Sequence, residues 1–389
     1  SFQPYLSQGD HGRDLYAFAQ TLNGQMPYQD YWWVYGPLMP YYYALFFKIF
    51  GIAIPSVLVG EILLTVLSGI FIFFSLSLFI PTLFAFMAAM WFWMYQPDFF
   101  FTYNHIGGIF CLSGIIFALF SYIKKPKTPY LYFALFLIFI LSLIKVNFGI
   151  ASLFVFIIFY RLYDAVNHIP TTPSKKNLAS IAGLLLPLLL FVIYFLLLYR
   201  LPLYEIRQCM PYLSNDQPYH STPQQALLAL GKAILATPLT NPANFVFALF
   251  IIGSVIATIF KMVSPKTDTK ERRQFLTAFL LLVFFYFVNL HEYLFSGVLY
   301  RSFWATPFST MMLFLFIGYA LSKINPKLQQ LVFGAFFIIV FSQYVHEIDV
   351  IRGKKIPEQF LTLERARITT GNPENWFTTV SQTTDYLKK

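Results

Sequence analysis

The chain has 389 residues, of which 58% are hydrophobic and only 11% are charged, and its mean hydropathy is +0.62. A soluble domain carries about a quarter charged residues, so this composition excludes an ordinary soluble enzyme and predicts a polytopic α-helical membrane protein. The net charge of +10 lies mainly in short links between apolar runs, which is typical of membrane topology and not of a nucleic-acid-binding surface.

The first predicted domain, residues 1–52, is polar and rich in turn-forming residues. Residues 13–23 are predicted to form a short helix along the membrane surface, and residues 37–50 a second one that is rich in tyrosine and phenylalanine. A loop over residues 26–36 joins them. The apolar face of the first helix comprises Leu15, Phe18, Ala19 and Leu22.

The second predicted domain, residues 53–346, consists of long apolar runs. We therefore predict an all-α fold, a polytopic membrane helix bundle of about 10 spans. The runs at 130–144 and 147–162 are shorter than a full span, so tilt or pairing with neighbours must make up the thickness. The predicted spans are 53–79, 82–96, 105–123, 130–144, 147–162, 178–199, 243–262, 274–290, 303–322 and 328–345.

The orientation of the bundle follows from where its basic residues lie. They cluster in alternate loops, which the positive-inside rule places in the cytoplasm. The same alternation places residues 1–52 and the third domain, residues 347–389, outside. An external segment at the start of a chain needs a helix to deliver it, so we expect a further span before Ser1 and a C-terminal external segment that continues beyond Lys389. The basic positions are Lys124, Lys125, Lys127, Arg161, Lys175, Lys176, Lys261, Lys266, Lys270, Arg272, Arg273, Lys323 and Lys327.

An acidic, turn-rich stretch in the first domain is the candidate active site. Carboxylates are costly near hydrocarbon, so an acidic segment at the mouth of an apolar bundle points to function. The alternative is an ordinary interfacial loop whose Pro and Gly merely turn the chain. The pattern consists of Asp10-His11-Gly12, Ala19, Gly24, Pro27-Tyr28-Gln29-Asp30 and Gly36-Pro37.

This pattern resembles the first external loop of the GT-C glycosyltransferases, in the bacterial branch related to protein O-mannosyltransferases and aminoarabinose transferases. The resemblance implies two membrane-parallel helices in that loop and gives Asp10 the position of the catalytic base, which accepts the proton of the attacking acceptor. Asp14 is an alternative base, although a solvated surface charge or a partner of Arg13 is the favoured interpretation. Asp30 is expected to order the loop by accepting backbone N–H bonds.

Lys145 is a second candidate, because it interrupts an apolar sequence and no acid lies near it in the chain. An intramembrane lysine of this kind is costly unless an anion meets it, although snorkelling to the interface is an alternative. The Lys145 segment looks like the family's Lys-x-x-x-Gly motif, which implies contact with the phosphate of a lipid-linked donor. Arg301 offers a second cation for the same phosphate.

Asp98 is either a turn residue that caps the helix near Asn104 or a second acid that faces the same cavity and orients the acceptor. A divalent metal, if one binds, would be held by Asp10 and Asp98, and no other cofactor is predicted. Tyr28, Asp30 and His105 complete the predicted substrate-binding set with Lys145 and Arg301. No metal-ligand spacing links Asn104, His105, His291 and Glu292, so these are expected to be satisfied interfacial side chains.

The sequence contains no phosphate-binding loop and no dinucleotide fingerprint, which argues against a nucleotide-fuelled pump or a cytoplasmic nucleotide-sugar enzyme. The resemblance implies an inverting glycosyltransferase (a hexosyl or pentosyl transferase) that moves a sugar from a polyprenyl-phosphate donor to an envelope acceptor, either lipid, glycan or protein. The predicted partners are that donor and membrane lipids, without nucleic acid. We expect a bacterial inner (plasma) membrane protein with its active site facing the periplasm. The alternatives are a secondary transporter or lipid flippase, and a non-catalytic GT-C-like scaffold.

Overall fold

The computed structural model describes residues 10–95, 103–167, 270–296 and 304–321, scattered residues between 327 and 345, and two short strands. Within these ranges the chain is a bundle of apolar helices, as predicted. The helices are α1 Asp10–Leu22, α2 Leu38–Phe50, α3 Ile54–Ser77, α4 Thr82–Tyr95, α5 Tyr103–Lys124, α6 Thr128–Ile144, α7 Val146–Asn167, α8 Lys270–Asn289, α9 His291–Ser296 and α10 Thr306–Leu321.

The two helices predicted for the first domain are present as α1 and α2. The buried stripe of α1 is formed by Asp14, Ala17, Phe18 and Thr21, which follow the i, i+3, i+4, i+7 spacing of one helix face. This stripe is rotated from the predicted apolar face, of which only Phe18 is fully buried. Phe18 stacks on Tyr43 of α2 with their ring centroids 4.6 Å apart, so α1 packs onto the bundle through α2. The placement of both helices along the membrane surface stays a prediction.

α5 is the central helix of the described bundle. It packs against α3, α6 and α8 and is buried around nearly its whole circumference, as expected for a helix that is apolar on every side. α3, in contrast, exposes a row of large apolar side chains, as a lipid-facing helix does. α10 packs against α4, α3 and α8 and so closes the bundle. Among the described residues three segments, Ile54–Ser77, Tyr103–Lys124 and Lys270–Tyr293, are long and apolar enough to cross a membrane.

The short predicted spans are longer in the structure. α7 continues to Asn167, so its 22 residues extend about 33 Å and need no unusual tilt to cross the hydrocarbon. α6 has 17 residues and relies on its neighbours α5 and α7. The predicted spans 178–199 and 243–262 lie outside the described residues.

The described helices give the bundle two chemically different ends. At the basic end, Gln274 of α8 donates a hydrogen bond to the Ile123 carbonyl at 2.8 Å, and the Tyr163 hydroxyl donates to the same oxygen at 3.3 Å. The predicted cytoplasmic lysines at 124–127 and the first residues of α8 therefore lie together. Successive helices run in opposite directions between this end and the other, which is called here the Lys145 end. α6 ends and α7 begins at the Lys145 end. This alternation agrees with the predicted topology, while the assignment of the two ends to the two sides of the membrane stays a prediction.

A short hairpin of β1 Leu361–Leu363 and β2 Ala366–Ile368 lies in the predicted third domain. This hairpin is not among the predicted elements. The domain boundaries at 52/53 and 346/347 stay predictions.

Candidate functional site

Lys145 is the one residue that separates α6 from α7. Its backbone is extended, with φ −152° and ψ 105°, so the chain turns sharply there and directs a charged residue to the end of the bundle. The first loop docks at this break, because the Gly36 N–H donates a hydrogen bond to the Ile144 carbonyl at 2.9 Å. A Cβ on Gly36 would lie 2.1 Å from the Leu143 carbonyl oxygen. Only glycine allows this approach, which joins two segments that the sequence had singled out separately.

The Lys145 side chain is only 8% exposed and forms an ion pair with Glu292 of α9, with Nζ 2.5 Å from Oε1. No acid lies near Lys145 in the sequence, but in the folded chain Glu292 is its partner. Glu292 is far along the chain and only the packing of α8 and α9 against α7 brings it near. Both side chains are buried, so snorkelling of Lys145 into the aqueous interface is excluded for this conformation.

Glu292 is held by a second group of polar side chains. Asn147, the second residue of α7, donates its amide to Glu292 Oε1 at 3.0 Å and also lies 2.8 Å from His291 Nε2. His291 Nδ1 lies 2.8 Å from the Val288 carbonyl, so that nitrogen carries the proton and Nε2 accepts from Asn147. His291 and Glu292 are thus satisfied side chains, as expected, but Glu292 is buried inside the bundle.

Three aromatic rings surround the Lys145 ammonium. Nζ lies 5.4 Å from the ring centroid of Tyr35 and 5.2 Å from those of Phe148 and Trp304, within the range of cation–π attraction. Phe148 and Trp304 stack with their centroids 3.8 Å apart. Gly108 of α5 allows this packing, because a Cβ there would lie 2.4 Å from the Trp304 ring.

Asp14 lies on the α1 side of the same site and is fully buried. Arg13 Nη2 donates to Asp14 Oδ1 at 2.8 Å, and Asn104 Nδ2 lies 3.4 Å from the other carboxylate oxygen. The expectation of an ion pair with Arg13 is confirmed. The expectation of a solvated surface charge is wrong, because α1 turns Asp14 toward the bundle together with Phe18.

The loop between α1 and α2 is held by hydrogen bonds of two predicted residues, Asp30 and Tyr28. Asp30 accepts the Met26 N–H at 2.7 Å, which confirms its predicted role in ordering the loop. Tyr28 is buried, has a positive φ of 71° and donates its hydroxyl to the Tyr35 carbonyl. A tyrosine in this left-handed region is unusual, and the surrounding contacts must hold it there.

Tyr31 fastens the same loop to α1. Its hydroxyl lies 2.7 Å from Thr21 Oγ1. Burial raises the pKa of the Tyr31 phenol, so this group stays protonated and able to hydrogen bond at neutral pH.

Tyr35 connects the two halves of the site. The Arg13 guanidinium carbon lies 5.1 Å from the Tyr35 ring centroid, and Lys145 Nζ lies 5.4 Å from it. The His105 ring lies 6.0 Å from Tyr35 and 5.1 Å from Trp304. The predicted residues Tyr28, His105 and Lys145 are therefore brought together around Tyr35 with Arg13, the partner of Asp14.

Other predicted residues are not placed. Asp10 is the first residue of α1, one helical turn before Asp14, but its side chain lies outside the described part of the chain. Asp98 and Arg301 also lie outside the described residues. Within the described ranges no group of three His, Cys, Asp or Glu side chains could hold a metal ion.

Three members of the site, Tyr35, Asn147 and Trp304, are not among the residues predicted from the sequence. Asn147 and Trp304 lie two and three residues from the singled-out Lys145 and Arg301, and that nearness is the only signal that could have marked them. Tyr35 precedes the Gly36-Pro37 pair, and nothing distinguishes it from the many other tyrosines of the chain.

No protein-family model matches the chain, and the comparison with curated proteins finds no match. Among solved structures the chain is similar to ArnT from Cupriavidus metallidurans, in a crystal structure of the apo state, with a TM-score of 0.59 and 14% identity. The likeness covers 93% of this chain and 62% of the ArnT chain, so the chain spans less than two thirds of the length of ArnT. At this identity the likeness shows the fold alone: the chain is an integral membrane protein whose fold is similar to that of ArnT.

Proposed function

We propose that this protein is an inverting membrane glycosyltransferase that transfers a sugar from a polyprenyl-phosphate donor to an acceptor of the cell envelope. The reaction takes place at the Lys145 end of the bundle, which faces the periplasm. The proposed enzyme belongs to the bacterial GT-C branch related to protein O-mannosyltransferases and aminoarabinose transferases.

One observation carries the proposal: the segment with the acidic motif and the buried lysine meet at a single residue, Tyr35. Arg13 of α1 and Lys145 both lie within 5.4 Å of its ring, although they are distant in the chain. Transfer from a lipid phosphate needs a base for the acceptor and a cation for the leaving group within the length of one sugar. The contacts of both Arg13 and Lys145 with Tyr35 support this arrangement, and the similarity of the fold to that of ArnT agrees with it.

The proposed chemistry begins with the acceptor. Its hydroxyl or amine attacks the anomeric carbon of the donor sugar from the face opposite the phosphate and gives its proton to the Asp10 carboxylate. The bond from the anomeric carbon to the phosphate oxygen breaks, and that oxygen keeps the electron pair. One displacement inverts the anomeric configuration. Cations that meet the departing phosphate stabilise the transition state more than the ground state.

Lys145 is the described cation that is best placed for the phosphate, and Arg301 is proposed as a second one. Tyr28, Asp30 and His105 support the substrate: Tyr28 and Asp30 by fixing the loop, and His105 through its position between Tyr35 and Trp304. Asp98 is proposed to orient the acceptor, with a divalent metal between Asp98 and Asp10 if one is required.

The experiment that tests the proposal is sugar transfer by the purified protein in lipid nanodiscs. A labelled polyprenyl-phosphate sugar and an envelope extract are supplied, and we expect label to pass to an acceptor while prenyl phosphate is released. Donor that is never consumed would overturn the proposal. Movement of intact donor across the bilayer of a liposome, without transfer, would instead support the flippase alternative.

A further inference from the structure

We propose that Glu292 is a displaceable counter-ion, which holds Lys145 in position before the donor binds and yields it to the donor phosphate. In this role Glu292 is a positioning residue that acts through Lys145. The inference rests on the proposed function in one respect, namely that the arriving anion is the phosphate of the lipid-linked donor.

The first step of the argument is the charge of the pair. Lys145 and Glu292 lie 2.5 Å apart, both are buried, and together they are neutral. A buried lysine that waits for a ligand would be costly without such a partner. An anion that reaches the Lys145 ammonium must therefore compete with the Glu292 carboxylate.

The second step concerns what holds Lys145 when the carboxylate moves away. The rings of Tyr35, Phe148 and Trp304 each lie 5.2 to 5.4 Å from Nζ, within the range of cation–π attraction. They belong to the first loop, to α7 and to the turn before α10, so three separate segments of the chain border the ammonium. Lys145 can exchange one anion for another and remain in place.

The third step concerns what stabilises the Glu292 carboxylate after it releases Lys145. Asn147 donates a hydrogen bond to Glu292 Oε1, and His291 fixes Asn147 in turn. The Asn147 amide therefore stays a hydrogen-bond donor to Glu292 when the carboxylate releases Lys145, so the displacement of Glu292 does not leave a bare buried charge.

The test compares Glu292→Gln with the wild type in nanodiscs, with farnesyl phosphate as the probe. The amide keeps the size of the side chain and removes the competing charge, so we expect farnesyl phosphate to bind about tenfold more tightly. The matched control is Glu271→Gln, which changes an exposed glutamate at the basic end of α8 and should leave binding unchanged. Equal or weaker binding by a folded Glu292→Gln protein would overturn the proposal.

A second variant covers the case in which Glu292→Gln does not fold. Asn147→Leu leaves both charges in place but removes the hydrogen bond that satisfies Glu292 after it releases Lys145, so farnesyl phosphate should bind at least threefold more weakly. Unchanged or tighter binding by a folded Asn147→Leu protein would contradict the proposal. In the Glu292→Gln background, Lys145→Gln should abolish the gain in affinity, and persistence of the gain would show that it arises elsewhere.

Steady-state kinetics distinguish this role from a structural one. Glu292→Gln should lower the donor KM and also lower kcat, because the product prenyl phosphate leaves more slowly. A merely structural residue would raise KM or leave it unchanged. If the wild type transfers sugar but Glu292→Gln does not bind farnesyl phosphate more tightly, only the counter-ion role is refuted. If Glu292→Gln binds farnesyl phosphate more tightly but the wild type transfers no sugar, only the proposed function is refuted.

Discussion

Replacing Gly36 with alanine tests whether docking of the first loop onto the α6–α7 break builds the site. The added Cβ would lie 2.1 Å from the Leu143 carbonyl oxygen and 2.8 Å from the Ile144 nitrogen. These are backbone atoms of a packed helix end, so the loop itself must retreat by about 1.3 Å to reach ordinary contact at 3.4 Å. Such a retreat breaks the bond from the Gly36 N–H to the Ile144 carbonyl.

The expected magnitude follows from two terms. Overpacking costs about 1–3 kcal/mol and a lost buried hydrogen bond about 0.5–1.5 kcal/mol, so the loop should lose roughly 2–4 kcal/mol of docking free energy. A displacement of this size near reacting groups lowers turnover by roughly 10²-fold. The bundle itself should remain folded, because most of α5 packs against α3, α6 and α8 and not against the loop.

Hydrogen exchange followed by mass spectrometry measures the effect without any assumption about activity. Peptides that cover residues 26–36 should exchange faster in Gly36→Ala, while peptides from α5 keep wild-type protection. The matched control is Gly334→Ala, where an added Cβ meets nothing within 4 Å. Wild-type protection of the loop in Gly36→Ala would refute the docking argument.

Three further predictions concern the cation, the loop and the topology. Lys145→Gln should reduce kcat/KM for the donor by roughly 10- to 100-fold, measured by transfer from labelled donor, and an unaffected enzyme would rule out phosphate contact. Tyr28→Phe removes the hydrogen bond to the Tyr35 carbonyl and should lower the thermal unfolding midpoint by a few degrees. Tyr16→Phe, in which the replaced ring is exposed, should leave the midpoint unchanged. Equal midpoints for the two variants would show that the Tyr28 bond does not stabilise the protein. Cysteines placed at Lys125 and Lys270 should react with an impermeant maleimide only from the cytoplasmic side, and labelling of Lys270 from outside would reverse the orientation.

The helices were predictable because each apolar run must form a helix to cross a bilayer, and the basic links between the runs mark where the helices end. α3, α5 and α6 begin and end within about two residues of their predicted limits. α7 was predicted too short because its last turns contain Arg161 and other polar residues, which lower local hydropathy without ending the helix.

The candidate site was only partly predictable from the sequence. Lys145 stands out locally because a charge within an apolar run is costly, but its partner Glu292 depends on how α8 and α9 pack, and no spacing in the chain carries that information. The burial of Asp14 is a similar case. Asp14 and Phe18 are four residues apart and therefore lie on the same face of α1. The predicted buried face was centred on Leu15 and Leu22 instead, so Asp14 was expected to be exposed.

Asp10→Asn gives the most direct test of the central claim, that a carboxylate at the start of α1 removes the acceptor proton. The amide keeps the shape of the side chain and removes the base, so transfer should fall by roughly 10²-fold or more while farnesyl phosphate still binds and the protein stays folded. Glu271→Gln is the control for a lost surface carboxylate. Asp14→Asn is assayed beside it with a thermal unfolding measurement, because loss of a buried partner for Arg13 should destabilise α1. The measurement is the rate of sugar transfer per folded, donor-binding enzyme: the account predicts a collapse in Asp10→Asn, and a wild-type rate in that variant would contradict it.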